Sequence, residues 1–69
     1  MRKNAGYTII YAISISKTEE VVLGKNDVTG IFVTWMSNQP LGNYYWGHYF
    51  GDELNALEDL IKRARQERA

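Results

Sequence analysis

The period at which apolar residues recur changes once along this 69-residue chain, at Gly51–Asp52, and this change constrains the fold most. Before it lie short runs rich in β-branched and aromatic residues, separated by polar or glycine-bearing segments, as is typical of strands. After it, the apolar residues recur at helical spacing. We predict four strands, over about residues 7–15, 20–24, 30–36 and 43–50, followed by one helix.

The segment after Gly51–Asp52 predicts an amphipathic helix over about residues 53–67. Asp52 is a suitable N-cap, because its carboxylate can accept hydrogen bonds from the first free backbone N–H groups. Acids begin the segment and bases end it, an order that complements the helix dipole. The apolar residues expected on one helical face are Leu54, Leu57, Ile61 and Ala64. Two i,i+4 pairs of opposite charge add support, Glu58 with Lys62 and Asp59 with Arg63.

Short connections favour antiparallel neighbours, so the simplest arrangement is a four-stranded antiparallel meander packed against one C-terminal helix. The fold class is therefore α+β. A chain of this length, without repeats or an internal linker, forms a single domain over residues 1–69. It contains no cysteine, which excludes disulfides and thiolate metal sites, so the apolar core alone must stabilise it.

The predicted sheet is apolar on both faces, although a sheet with one wet face normally alternates between apolar and polar residues. Strict alternation divides the fourth strand into Tyr44, Trp46, His48 and Phe50 on one face and Tyr45, Gly47 and Tyr49 on the other. In the first strand it places these residues together: Tyr7, Ile9, Tyr11, Ile13 and Ile15. One helix covers one face only, so we expect some of the remaining apolar surface to bind a partner.

Five of the nine aromatic residues lie between Asn43 and Phe50. Large rings fill a small core efficiently, and Tyr and Trp are also frequent at the energetic centres of protein interfaces. Because adjacent strand residues point to opposite faces, we expect some of these rings to be exposed. Gly47, within the strand, indicates a bulge or a ring packed closely over the backbone. The candidate binding residues are Trp35, Tyr44, Tyr45, Trp46, His48 and Tyr49.

The basic end of the helix is a second candidate for contact, with phosphates or with an acidic partner. Its bases are Lys62, Arg63, Arg65 and Arg68, which a helix end exposed to solvent would also explain. Eight basic and eight acidic residues give a formal net charge of zero, whereas dedicated nucleic-acid-binding domains carry a basic excess. Nucleic-acid binding therefore stays the alternative, with sheet aromatics stacking on bases and with Arg2, Lys3 and the helix end at the phosphates.

The sequence offers little for catalysis, which requires a nucleophile, an acid or base, or a metal held in a pocket. His48 is the single histidine, and no serine lies in a nucleophile-elbow pattern. A metal site would have to rest on carboxylates, so we expect no metal and no other cofactor. We predict a protein that is not an enzyme and has no small-molecule substrate.

No apolar run approaches the roughly 20 residues that span a bilayer. The basic start is followed by an apolar stretch over residues 7–15, but polar residues interrupt it and no small-residue cleavage site follows. We therefore expect neither a membrane span nor a signal peptide, and a cytoplasmic location.

Three segments together resemble a group of small uncharacterised bacterial proteins of prophage and mobile-element type. They are the Val22–Asn26 segment, the Phe32–Trp35 segment (F-V-T-W) and the Tyr44–Phe50 segment (Y-Y-W-G-H-Y-F), of which the last is the most specific. The resemblance covers most of the chain. It implies an accessory role, such as binding and blocking a host protein, and carries no catalytic residues over to this chain.

Two hypotheses follow from the sequence. The first is a protein-binding module, either homodimeric or acting on a larger protein, which uses the aromatic residues of the sheet. The second is a small nucleic-acid-binding domain.

Overall fold

A computed structural model of the chain describes residues 2–68 and shows an antiparallel sheet followed by one C-terminal helix. The α+β class is confirmed, but the prediction of four strands is wrong, because the sheet has five. The strands are β1 (Lys3–Asn4), β2 (Tyr7–Ser14), β3 (Glu19–Lys25), β4 (Phe32–Asn38) and β5 (Asn43–Phe50), and the helix is α1 (Glu53–Arg68). Every strand pairs with its neighbours in sequence, so the order β1-β2-β3-β4-β5 is a meander, as predicted.

The additional strand, β1, comprises only two residues, too few to show a period of two in the sequence. It pairs with β2 through Lys3 opposite Thr8 and Asn4 opposite Tyr7. The two residues of the connecting turn, Ala5 and Gly6, both have positive φ, at 52° and 85°. This is the backbone of a two-residue hairpin turn, in which asparagine and glycine are the favoured residues.

A bulge at Ile10 interrupts β2, and residues that strict alternation would place on one face lie on opposite faces before and after it. Ile9 lies opposite Gly24, whereas Tyr11 already lies opposite Leu23, so that Ile10 has no counterpart on β3. Strict alternation fails at that point. The expectation that five residues share one face is therefore wrong: Tyr7 and Ile9 belong to one face, and Tyr11, Ile13 and Ile15 to the other.

A second bulge interrupts β5. Thr34 lies opposite His48 and Met36 opposite Tyr45, which leaves Trp46 and Gly47 together beside the single residue Trp35. The indication given by Gly47 is confirmed, since this glycine lies both in a bulge and against a ring. The expected division of the strand is corrected accordingly: Tyr44 and Tyr49 share one face, while Tyr45, His48 and Phe50 share the other.

The helix begins as predicted, because the Asp52 side chain accepts hydrogen bonds from the backbone N–H groups of Leu54 at 2.8 Å and Asn55 at 3.2 Å. The residues it buries differ from the expected face. Of that face only Ala64 is fully buried, while Leu54 and Ile61 are exposed. The residues that the helix buries are Ala56, Leu60, Arg63 and Ala64. Apolar residues occur on more than one side of the helix, so their spacing alone cannot show which side packs against the sheet.

The sheet is curled into a half-barrel with a separate core on each face. The helix lies over β3, β4 and β5 on the outer, convex face and covers a core centred on Val21, Leu23 and Leu60. On the inner, concave face, the rings of Tyr7 on β2 and Tyr49 on β5 have centroids 6.2 Å apart. Three strand spacings would separate these strands by about 14 Å in a flat sheet, so the curl brings them together.

Candidate protein-binding surface

The six candidate binding residues of the sheet do not form one surface. Trp35, Tyr44 and Tyr49 belong to the concave face, whereas Tyr45 and His48 lie on the face that carries the helix. Trp46 lies in the bulge between them. The structure thus separates residues that are adjacent in sequence, and their exposure differs widely.

Trp35 is the centre of the concave core and is only 6% exposed. The ring of Tyr7 meets it edge-on with centroids 5.5 Å apart, and Tyr44 does so at 5.6 Å. A Cβ on Gly47 would lie 2.7 Å from the indole nitrogen of Trp35, so only glycine leaves room for the indole. Trp35 therefore holds the concave face together and offers no surface to a partner.

Arg2 closes one end of the concave face. Its guanidinium pairs with the carboxylate of Glu20, donates a hydrogen bond to the Tyr44 hydroxyl at 2.9 Å and lies over the Tyr44 ring. Hydrogen bonds to Glu20 and Tyr44 raise the pKa of Arg2. Burial raises the pKa of Glu20, but hydrogen bonds from Arg2 and Ser37 more than offset it, so the pKa lies below its usual value. Arg2 is thus committed to contacts within the domain.

Trp46 and Tyr49 are the exposed aromatic residues of β5, at 69% and 59%. Trp46 has a φ of 55°, in the left-handed region that a bulky residue rarely adopts. Its ring is nearly perpendicular to the neighbouring Tyr45 ring, with centroids 5.1 Å apart. The bulge therefore holds a large ring in solvent at a cost in backbone strain.

Tyr45 is half-buried under the end of the helix. Its hydroxyl donates a hydrogen bond to Glu19 at 3.1 Å. Burial and that hydrogen bond raise the pKa of the Tyr45 hydroxyl. The ring packs against the core beneath the helix.

His48 belongs to a polar network between the sheet and the helix. Its Nδ1 lies 3.0 Å from Asp59, and the same carboxylate oxygen accepts a hydrogen bond from the Thr34 hydroxyl at 2.6 Å. Arg63 donates to the carbonyl and the hydroxyl oxygen of Thr34, both at 3.1 Å. Burial lowers the pKa of the Arg63 guanidinium, and the charges of Asp59 and Glu67 oppose that shift. This network satisfies polar groups under the helix, which favours a structural role for His48.

Three of the four basic residues predicted to contact phosphates or an acidic partner at the helix end are exposed. Lys62, Arg65 and Arg68 are exposed, whereas Arg63 is buried on the side of the helix that faces the sheet. The expected pair of Asp59 with Arg63 is replaced by the contacts of both residues with Thr34, and residues 2–68 show no ion pair between Glu58 and Lys62.

Sequence reasoning missed Tyr7 and Arg2 as parts of the aromatic face. Tyr7 could have been placed there only by locating the bulge at Ile10, and the strand-forming residues on both sides of that position, Ile9 and Tyr11, conceal it. Nothing in the sequence links Arg2 to Glu20. Within residues 2–68, no three His, Asp or Glu side chains converge as metal ligands would. In that same part of the chain, no helix combines the length and apolar character needed to cross a bilayer.

Comparisons with known proteins give no further constraint on this site. No family model, curated protein or solved structure matches the chain.

Proposed function

We propose that this domain is a protein-binding module without catalytic activity, and that Trp46 and Tyr49 are its principal contact residues. The observation that carries the proposal is Trp46, a large ring held in solvent by a backbone conformation unfavourable for it. Folding alone gives no reason to keep tryptophan there, because asparagine or glycine would relieve the strain. Strained backbone of this kind is concentrated at binding and catalytic sites.

The properties of the two rings fit a protein partner. Tryptophan and tyrosine contribute most at interface centres, since each buries a large area and loses little side-chain entropy. Tyr49 borders the concave face, where its ring meets Tyr7, so it is held in place while more than half exposed. The accessory role that the resemblance implies, binding and blocking a host protein, would use this surface.

The nucleic-acid alternative receives less support. Arg63 is buried under the helix and Arg2 is paired with Glu20, which removes two of the bases that would meet phosphates. The strand that presents the exposed rings has no lysine or arginine, although stacking platforms normally combine rings with positive charge. We therefore do not propose nucleic-acid binding.

Site-specific photo-crosslinking tests the proposal. A photoreactive phenylalanine analogue is placed at position 46, at position 49 or, as a control, at the exposed Val28 in the turn after β3. In cells that make the protein, we expect a discrete crosslinked protein from positions 46 and 49 that is absent from position 28. Equal crosslinking at all three positions, or none at 46 and 49, would contradict the proposal.

Trp46→Asn separates binding from folding. Asparagine tolerates positive φ, so the free energy of unfolding of the variant, measured by urea titration, should lie within about 1 kcal/mol of the wild-type value. The specific crosslink from position 49 should nevertheless be lost. If the crosslink persisted in this folded variant, Trp46 would not be a contact residue.

A further inference from the structure

The outer edge of β2 is only half covered. β1 pairs with its first residues, and the carbonyl of Arg2 accepts a hydrogen bond from the N–H of Ile9 at 2.9 Å. Beyond Ile9, none of the strands within residues 2–68 lies beside β2 on that side. The segment from Ile10 to Ser14 is therefore an open sheet edge.

The hairpin to β3 determines which backbone groups this edge presents. The N–H of Ile15 points towards β3, because it donates to the carbonyl of Glu19 at 2.9 Å. The register between Tyr11 and Ser14 is unbroken, so backbone groups alternate in direction along it. Ile13 and Tyr11 therefore also face β3, whereas the N–H and C=O groups of Ala12 and Ser14 point outward.

This edge lacks the usual protection against pairing with another strand. Edge strands are normally blocked by charge, proline or a bulge placed within the open part. The Ile10–Ser14 segment has neither charge nor proline, its bulge lies at its start, and Tyr11 is 47% exposed. The opposite edge, on β5, is interrupted in its middle by the Trp46 bulge.

We propose that the open edge of β2 binds the same edge of a second copy of this chain, antiparallel, about a two-fold axis at Ala12. Each Ala12 would then donate to and accept from its counterpart, and Ser14 would lie opposite Ile10 of the second copy. Tyr11 would lie beside Ile13 of the second copy, an aromatic and β-branched cross-strand pair. No charged side chain opposes a like charge in this register, which is why we choose a second copy as the occupant.

The contact differs from the surface proposed for a foreign partner, and neither proposal depends on the other. Pairing of so short an edge buries less area than a standard interface, so the dimer should be weak. We expect a dissociation constant of about 100 µM, with monomer at low concentration. Two such sheets would form one continuous sheet with both helices on the same side.

Light scattering on a sizing column, from about 10 µM to about 1 mM, tests for the dimer. The expected molar mass rises from that of one chain, 8.0 kDa, towards twice that value. Amide hydrogen exchange tests the edge itself: the N–H groups of Ala12 and Ser14 should become protected as the concentration rises. A chain that stays monomeric at 1 mM, or a dimer in which these amides exchange freely, would overturn the proposal.

Two variants and a control locate the contact. Ala12→Pro removes an outward N–H without removing a hydrogen bond to β3, and Tyr11→Lys places charge on the edge. Both should remain monomeric throughout the concentration series. Tyr49→Lys, an equivalent change of an exposed tyrosine on the other edge strand, should still dimerise. Since Tyr11→Lys leaves every backbone donor in place, it keeps the test decisive if Ala12→Pro fails to fold. Loss of the dimer in Tyr49→Lys but not in Tyr11→Lys would overturn the proposal.

Discussion

The two faces of the sheet exclude water by different means. On the convex face a helix covers aliphatic residues, and Val21, Leu23 and Leu60 lie almost entirely out of solvent. The concave face has no covering element within the described chain and uses its own curvature, which brings Tyr7 to Tyr49 across two intervening strands. The first core is a contact between two layers, and the second is one layer folded onto itself.

This difference changes what a two-sided apolar sheet implies. From the sequence, apolar residues on both faces suggest that an uncovered face awaits a partner. In the folded chain, curling buries Trp35 and half-buries Tyr44 without any partner. The aromatic residues of β5 that stay exposed are those at the margin of the curl, Trp46 and Tyr49.

The largest expected loss of stability comes from truncating a side chain between the helix and the sheet. Leu60→Ala leaves a cavity under the helix and should lower the free energy of unfolding by about 3 kcal/mol. Ile61→Ala, the adjacent and exposed position, should cost less than about 1 kcal/mol. Urea titration of both variants gives the comparison. Equal losses would mean that the helix does not pack as the convex core requires.

A smaller effect is expected on the concave face, from Gly47→Ala. The new Cβ would lie 2.7 Å from the Trp35 indole nitrogen, and the indole cannot move without displacing Tyr7 or Tyr44. We expect a loss of about 2 kcal/mol, because overpacking forces buried rings from their positions. Gly51→Ala meets no neighbouring atom and should be close to neutral. If thermal unfolding showed Gly47→Ala to be equally neutral, the concave core would be loosely packed.

The same glycine shows how far the sequence predicts the structure. Periodicity identified β2 to β5 and the helix, since each is long enough to repeat its pattern. Periodicity could not locate either bulge, because one unpaired residue reverses all later faces without changing the composition. Gly47 indicated the bulge in β5, but no residue indicated the one at Ile10. The candidate residues lie on β4 and β5, but strict alternation assigned several of them to the wrong face.

The polar contacts were less predictable than the faces. Asp59 and Arg63 have the spacing of a helical surface pair, yet both turn towards Thr34 under the helix. These contacts depend on the position of the helix over the sheet. That position cannot be predicted from the spacing of residues within the helix. Arg2 and Glu20 are 18 residues apart in sequence, and no local pattern links them.

Acid should weaken the concave face through Glu20. Its folded-state pKa is lowered by its hydrogen-bond donors, so the stabilisation is present above its ordinary value of 4.5 and is lost as the pH falls through the lowered value. Arg2→Ala removes the principal donor. We expect it to cost less than about 1 kcal/mol above that pH, because Arg2 is partly solvent-exposed.

Urea titrations of the wild type and of Arg2→Ala at a series of pH values measure this difference. The two stabilities should converge as the pH falls below 4.5. A gap that stayed constant into strong acid would show that Arg2 acts through its contact with the Tyr44 ring and not through its ion pair with Glu20.

The smallest expected effect is a gain, at the turn that brings Arg2 to the concave face. Ala5 has a φ of 52°, and asparagine accepts that conformation more readily than alanine. Ala5→Asn should therefore raise the free energy of unfolding by about 0.5 kcal/mol and hold β1 more firmly against β2. Thr29→Asn, an exposed change in the turn after β3, controls for asparagine itself. Because the Ile9 N–H is bonded to Arg2, its hydrogen exchange should slow in Ala5→Asn, while the outward N–H of Ala12 should not change at low concentration. An Ala5→Asn variant with unchanged Ile9 exchange would mean that the β1–β2 turn does not limit the opening of this end of the concave face.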